Sequence, residues 1–183
     1  MWSPTGPAIS PMAQTWSESW WPLAPIRTLG LPGGHAETPL HWAASSNDVE
    51  VLDALLDAGA DINALGAVIA GGTALLDACA FGQWEAARRL LERGAAAGLW
   101  ESSALGLVER VAECLGTTPR PSSADITGAF WGACHGGHRT TAQMLLDAGA
   151  DRSWIGWDGL TALDAAERSG AADVVAWLSS LEP

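Results

Sequence analysis

The chain has 183 residues, of which 21 are acidic and nine are basic, giving a formal net charge of −12 at pH 7. This balance argues against unassisted binding to nucleic acid or to anionic membranes, because both surfaces are bound through Lys and Arg. Among protein partners, it favours one that presents a basic surface.

Residues 1–34 differ in composition from the rest of the chain. They contain six of the ten prolines and four of the eleven tryptophans, and their only charged side chains are Glu18 and Arg27. Prolines at this density interrupt a helical period, so we predict a disordered tail. Two alternatives stay open: the tryptophans cover the end of the following domain, or a wrong start or frame error replaces earlier sequence. The segment lacks the basic start and apolar run of a signal peptide.

A short phrase then recurs at a fixed spacing. TPLH at 38–41 precedes GAD at 59–61 by 21 residues, and TAL at 73–75 precedes GA at 94–95 by the same distance. The closing phrase returns at 149–151 and the opening phrase at 161–163. A period of about 33 residues is typical of solenoids, in which stacked helix pairs bury a continuous core.

Aligned on these phrases, the chain divides into five units that begin at residues 38, 73, 97, 128 and 161. The central intervals of 24 and 31 residues are shorter than the first interval of 35, which predicts degenerate central units without connecting hairpins. Asp53 and Asp57 are expected on the solvated outer face of a second helix. Nine residues after each start lies the predicted turn between two helices, at Asn47, Gly82, Gly106, Gly137 and Gly170.

These phrases resemble the ankyrin repeat. The segments LGLVERV at 105–111, AFWGACHGG at 129–137 and WIGWDGLT at 154–161 are also similar to a group of bacterial ankyrin-repeat proteins. The resemblance implies an all-α ankyrin-repeat solenoid of about five helix–turn–helix units over residues 35–181. It implies a non-enzymatic protein–protein interaction module that needs no cofactor. It also gives Thr38 and His41 a structural role, because their side chains fix the start of the first helix.

The same resemblance predicts which residues meet a partner. In ankyrin arrays the hairpin tips and the inner face of the first helices form a concave surface. We expect Phe81 and Trp157 to anchor the partner, because aromatic side chains dominate interface hot spots. The positions that fall on this surface are His35, Glu37, Ser45, Ser46, Ile69, Phe81, His135, Ile155, Trp157, Asp158, Leu160 and Arg168.

The three cysteines are odd in number and show no paired spacing, so we interpret them as small buried residues of a cytoplasmic protein. Cys134 lies close in sequence to His135 and His138, which leaves a Cys/His-dependent hydrolase-like or metal-binding activity as an alternative. A zinc site needs more ligands than these three, and a nucleophilic cysteine needs a base positioned by a third group. Another alternative is the C-terminal remnant of a longer array without an independent role.

Overall fold

The computed structural model describes residues 37–66, 71–156 and 158–181 of the chain. Helices in this part are paired into five helix–turn–helix units, which confirms the predicted all-α repeat solenoid. The predicted tail at 1–34 lies outside the described residues. The first helices of the units are α1 (Pro39–Ser45), α3 (Ala74–Ala80), α5 (Leu99–Ala104), α7 (Ser123–His135) and α9 (Ala162–Arg168). The second helices are α2 (Val49–Asp57), α4 (Trp84–Glu92), α6 (Val108–Leu115), α8 (Arg139–Asp147) and α10 (Ala172–Ser180).

Each pair of helices is joined by a turn with one residue in the left-handed backbone region. Glycine adopts this conformation without a steric cost, and asparagine tolerates it better than other residues. The predicted turn positions are confirmed in all five units. Their φ angles are 58° at Asn47, 69° at Gly82, 70° at Gly106, 77° at Gly137 and 68° at Gly170.

Thr38 and His41 fix the start of α1 in the way the resemblance implies. The Nδ1 atom of His41 lies 3.2 Å from the backbone N of Thr38 and 2.8 Å from its Oγ1. On the other side of the ring, Nε2 lies 3.2 Å from the carbonyl oxygen of Gly72. A neutral imidazole with its proton on Nε2 satisfies all three contacts. His41, only 1% exposed, therefore ties the first unit to the approach of the second.

Two β-hairpins connect units, one before α3 and one before α9. Antiparallel bridges join Leu65 to Thr73 and Ile155 to Thr161. Between α4 and α5, and between α6 and α7, the described chain forms no such bridge. The predicted loss of the central hairpins is confirmed there, and the α6–α7 connection contains a cis peptide bond at Thr118–Pro119.

Two predicted unit starts are wrong. The first helix of the fourth unit begins at Ser123, so Gly128 lies inside α7 and does not cap it. The cause is a reciprocal capping interaction that the repeat register ignores: the backbone N of Asp125 donates to Ser122 Oγ at 3.1 Å, and the Ser122 N donates back to Asp125 Oδ2 at 3.0 Å. In the third unit the N-cap is Gly98, one residue after the expected start.

The core is built from small residues on the first helices and leucines on the second. Leu52, Leu90 and Leu145 are 0% exposed. Cys79 and Cys134 occupy the position of Ala44 and are equally buried, which confirms that they act as small packing residues. The buried residues form two clusters that meet at Trp100, whose ring packs against both. Adjacent units therefore stabilise one another through a continuous core.

The expected solvated position is confirmed for Asp57, whose side chain is 73% exposed, but it is wrong for Asp53, which is half-buried in ion pairs. Asp53 Oδ1 lies 2.9 Å from Arg89 Nε and 2.7 Å from Arg93 Nη1, and Arg93 also pairs with Asp57. The hydrogen bond from Arg89 is the main cause that lowers the pKa of Asp53. These ion pairs join α2 to α4 across the first unit boundary. The separation of 36 residues between Asp53 and Arg89 hid the pairing from local sequence reading.

Asp77 is an acidic side chain buried at the same boundary. It is 3% exposed, on the first helix of the second unit. Burial, with a smaller contribution from the nearby charge of Glu37, raises its pKa to about 7. Because the charged form is disfavoured in the folded chain, Asp77 makes the stability of this boundary depend on pH.

At Asn47, the contribution of the left-handed backbone to stability can be measured apart from that of its hydrogen bond to Ala86, by comparison with Asn63. Asn47 Oδ1 accepts from Ala86 N at 3.0 Å, and Asn63 Oδ1 accepts from Ala96 N at 2.9 Å. Only Asn47 has a positive φ, and its Nδ2 also donates to the exposed Glu85 Oε2 at 3.2 Å. We expect Asn63→Ala to lower the free energy of unfolding by about 1 kcal/mol and Asn47→Ala by about 2–3 kcal/mol. Urea denaturation followed by circular dichroism measures both. Equal losses would show that the left-handed backbone of Asn47 costs the alanine variant nothing.

The stability contribution of Asp77 should fall with rising pH. Its folded-state pKa of about 7 exceeds the unfolded value of about 4, so between these limits the folded chain binds the proton more tightly. Relative to Asp77→Asn, the natural chain should lose stability through this window, with a limiting slope of about 1.4 kcal/mol per pH unit. Denaturation from pH 4 to 8 measures the difference. The control for the loss of one charge is Asp173→Asn, at an exposed residue of α10. Parallel curves of stability against pH for the natural chain and Asp77→Asn would contradict the prediction.

Candidate functional site

Most of the predicted surface residues lie in the described part of the chain. His35, Ile69 and Trp157 fall outside the described residues, so their predicted contacts stay predictions. The others occupy two regions, the C-terminal ends of the first helices and the hairpin before α9, with Glu37 half-buried ahead of α1.

Phe81 is the most prominent side chain at the helix ends. It caps α3 and is 51% exposed. Ser45 and Ser46 stand at the equivalent end of α1, where their hydroxyls donate to the carbonyl oxygen of Trp42 at 3.1 and 2.7 Å. Because these hydroxyls already have an acceptor within their own helix, the apolar Phe81 is the stronger candidate for a contact with another molecule.

The hairpin before α9 brings together three of the predicted residues. Asp158 Oδ2 accepts from Arg168 Nη1 at 2.8 Å, and Asp158 Oδ1 accepts from the backbone N of Leu160 at 3.2 Å. Leu160 is half-buried, and its carbonyl oxygen accepts from Trp131 Nε1 at 3.0 Å. Ile155, in the same hairpin, remains 59% exposed. The hairpin is thus held on α7 and α9 while one apolar side chain faces solvent.

His135 is buried, so its predicted position on the accessible surface is wrong. It is 5% exposed and packs between the rings of Trp84 and Trp131, with centroid distances of 5.2 and 5.3 Å. Its Nδ1 lies 2.9 Å from the Ser169 hydroxyl. Burial first, and the charge of Arg168 second, lower the pKa of His135. The side chain therefore links the second, fourth and fifth units and supports the surface from beneath.

Three exposed apolar residues, Leu65, Trp42 and Val51, were missed by the sequence analysis. Leu65 is 66% exposed and Trp42 is 58% exposed. Leu65 bridges to Thr73 in the same way that Ile155 bridges to Thr161. Because the two residues occupy equivalent hairpin positions, the prediction made for Ile155 applied equally to Leu65. The sequence did contain an indication for Trp42, which lies five residues before the turn residue of its unit. The equivalent residues of the later units are not aromatic: Asp77, Glu101, Gly132 and Ala165.

The Cys/His alternative finds no supporting geometry in the described residues. Cys134 is 0% exposed, and burial raises the pKa of its thiol to about 12, so the reactive thiolate is disfavoured. His138 lies beside Gly106 at the turn of the third unit. In the described ranges, no three His, Cys, Asp or Glu side chains are grouped so that they could hold a metal ion.

One open cavity lies on the opposite side of the helix pairs. Its volume is about 420 Å³, and its walls come from the end of α4, the linker to α5 and helix α6. Leu91, Ala97 and Leu107 form the apolar part, while Glu109, Arg110 and Glu113 supply charge. None of the predicted surface residues lines it. Separately, no helix among the described residues combines the length and the apolar character needed to cross a bilayer.

Comparison with known proteins agrees with this architecture. A family model described as "Ankyrin repeats (many copies)" matches residues 40–95. The chain is 31% identical over 141 residues to the "Ankyrin repeat and KH domain-containing protein mask-1" of Caenorhabditis elegans, which covers 77% of this chain and 4% of that protein. It is 41% identical over 58 residues to the "E3 ubiquitin-protein ligase XBAT33" of Arabidopsis thaliana, which covers 32% of this chain and 11% of that protein.

Among solved structures, the crystal structure of the human ASB11 ankyrin repeat domain is similar, with 25% identity and a TM-score of 0.42. That match covers 79% of this chain and 69% of the other. The chain spans only a small part of the length of the curated relatives, so their printed activities describe those proteins alone.

The repeated geometry and the family match lead to one assignment. Five helix pairs recur with a left-handed turn residue in each, and the family model covers the first two pairs. Arrays of this kind are generally modules for protein interaction and typically serve as non-enzymatic scaffolds. The chain belongs to the ankyrin-repeat family.

Proposed function

We propose that the chain binds a protein partner on its concave face and catalyses no reaction. The concave face is defined as the C-terminal ends of the first helices α1, α3, α5, α7 and α9 with the described hairpin residues 65–66, 71–73, 155–156 and 158–161. The observation that carries the proposal is the presence there of three large apolar side chains, each more than half exposed: Leu65 at 66%, Phe81 at 51% and Ile155 at 59%. Such side chains gain most from burial against a partner.

The hairpin of the fifth unit is ordered before any partner arrives. Trp131 Nε1 donates to the Leu160 carbonyl, and the Arg168 guanidinium lies 5.9 Å from the centre of the Trp131 ring while pairing with Asp158. A surface that is already ordered loses little conformational entropy on binding. Ile155 is therefore offered to a partner from a fixed position.

The charge of this face favours a basic partner. Among the described residues of the first helices and hairpins, Arg168 is the one basic side chain besides histidine, and it is neutralised by Asp158. The same elements contain several carboxylates, and the whole chain has a net charge of −12. Complementary charge speeds the encounter and selects between partners more than it adds affinity. We therefore infer a partner surface in which Lys or Arg surrounds an apolar patch.

The relatives support a recognition role and nothing finer. The segments shared with the ubiquitin ligase and the KH-domain protein amount to 11% and 4% of those proteins. Neither ligase activity nor nucleic-acid binding follows from such short shares. The proposal places the chain in the cytoplasm, in keeping with three cysteines that form no disulfide, and it requires no cofactor.

Replacing two of the exposed apolar residues should abolish partner capture. The natural chain and the Phe81→Ala/Ile155→Ala variant are immobilised, and source-cell lysate is passed over both. A protein retained by the natural chain is identified by mass spectrometry, purified and titrated calorimetrically. We expect its dissociation constant to rise by about tenfold or more in the variant, because both side chains lose buried contact area. Raising the salt concentration should weaken binding further, since charge attraction is screened.

The matched control is Val51→Ala, which shortens an exposed side chain on the second helix α2. Circular dichroism melts establish that all variants fold. Equal affinity of the natural chain and the Phe81→Ala/Ile155→Ala variant would place the binding site elsewhere. A partner that Val51→Ala weakens as much as the double variant would contradict the assignment to the concave face.

A further inference from the structure

One position of the repeat lies near the preceding unit in the second and fourth units. This position lies five residues before the left-handed turn residue, and its occupants are Trp42, Asp77, Glu101, Gly132 and Ala165. The charge of Glu37, which precedes α1, contributes to the raised pKa of Asp77. A Cβ atom on Gly132 would lie 3.0 Å from the Trp100 ring on α5. In the second and fourth units this position therefore lies at a unit boundary.

In the first unit the same position is open. Trp42 is 58% exposed, whereas Asp77 is 3% exposed and Ala165 is fully buried. Tryptophan is the largest side chain at this position, so it exposes the most apolar area where the later units expose little. No described helix precedes α1, so in the described chain Trp42 has no preceding helix pair to pack against.

A second position on the other helix shows the same contrast. Four residues after the turn residue lie Val51 in the first unit and Ala86, Thr141 and Val174 in the second, fourth and fifth units; the short third unit departs from the pattern, with the exposed Arg110 at this position. Ala86 N donates to Asn47 in the unit before it, and Thr141 Oγ1 lies 3.2 Å from the carbonyl oxygen of Ser103 in the unit before it. These later residues are 0% exposed, but Val51 is 44% exposed. Trp42 and Val51 together define the open face of the first unit.

The other end of the array does not share this character. The last helix, α10, buries Val174 and Trp177. Its exposed positions hold small or polar residues: Ala172, Asp173, Ala176, Ser179 and Ser180. Solenoids need a polar outer surface on their terminal units. Among the described units, the fifth has a small or polar exposed side on its second helix, whereas the first exposes Trp42 and Val51.

We propose that residues 1–34 of this chain cover the open face of the first unit and place tryptophan side chains against Trp42 and Val51. Only residues 35–38 separate this segment from α1 in the sequence, so it is tethered near the first unit. It carries four tryptophans and only two charged side chains, a composition suited to an apolar surface. The proposal is independent of binding on the concave face.

A second copy of the chain fits this face less well. Stable interfaces take about 20–30 residues from each partner, whereas the described open face presents two large exposed apolar side chains. Two copies would also bring together chains that each carry a net charge of −12, and this repulsion opposes association. An adjoining segment of the same chain faces neither obstacle, because tethering gives it a high effective concentration.

Trypsin cleavage after Arg27 tests the proposal, because Arg27 is the one tryptic site within residues 1–34. The full natural chain is digested under native conditions beside a synthetic peptide of residues 15–34, and cleavage after Arg27 is followed by mass spectrometry. Covering predicts that Arg27 is cut about tenfold more slowly in the full chain than in the peptide. Trp42→Asp/Val51→Asp should restore the rate of the peptide, since charged side chains on the open face disfavour apolar docking.

The matched control is Phe81→Asp, which places the same charge on an exposed apolar residue of the concave face and should leave cleavage at Arg27 slow. Cleavage after Arg88 and Arg89, in α4, reports in the same digest whether the repeats remain folded. If the open-face variant unfolds, Trp20→Ser/Trp21→Ser removes tryptophans from the segment itself and should accelerate cleavage at Arg27 alone.

Two results would overturn the proposal. One is cleavage at Arg27 in the natural chain as fast as in the peptide. The other is a natural dimer, seen by light scattering, that Trp42→Asp/Val51→Asp dissociates without changing the rate at Arg27, which would assign the open face to a second copy.

Discussion

The structure depends on one constraint: a single helix pair cannot bury its own apolar side, so each unit must pack on a neighbour. The first helices carry small buried side chains such as Ala43, Ala78 and Ala165, which let adjacent helices approach closely. The second helices fill the remaining space with Leu52, Leu90 and Leu145, all fully buried. The positive-φ turn then returns the chain within a few residues, so that both helices of a pair reach the same neighbour.

In the centre of the array, the first helices of the third and fourth units approach so closely that two glycine positions at the C-terminal end of α7 leave little room for a side chain. A side chain on Gly136 would collide with the carbonyl oxygen of Ala104, and one on Gly132 would press on the Trp100 ring. The first helix of the third unit has only six residues. The ring of His135, in the fourth unit, packs against the ring of Trp84 in the second unit. The irregular spacing of the central units is thus compensated by aromatic packing that spans several repeats.

The surface follows from the same arrangement. Packing between units buries the sides of the helices that face a neighbouring unit. The hairpins, the helix ends and the open face of the first unit stay accessible. Apolar residues at those places, such as Phe81 and Ile155, cannot be buried within the array. They mark where contact with another molecule, or with another part of this chain, gains the most free energy. Acidic residues dominate the rest of this surface, so charge restricts which molecules approach it.

The sequence by itself determined the fold class, the number of units and the turn positions. These features are local: a glycine or asparagine at a left-handed turn and a threonine at a helix start act within a few residues, so their spacing can be read directly. The early start of α7 was also local, but the reciprocal pair of Ser122 and Asp125 lies outside the repeat register. Only the tertiary structure decided that His135 is buried, that Asp53 pairs with Arg89 and Arg93, and that Trp42 is exposed. Each of these outcomes depends on which unit stands next to the residue, and stacking contacts join residues about one repeat apart in the chain.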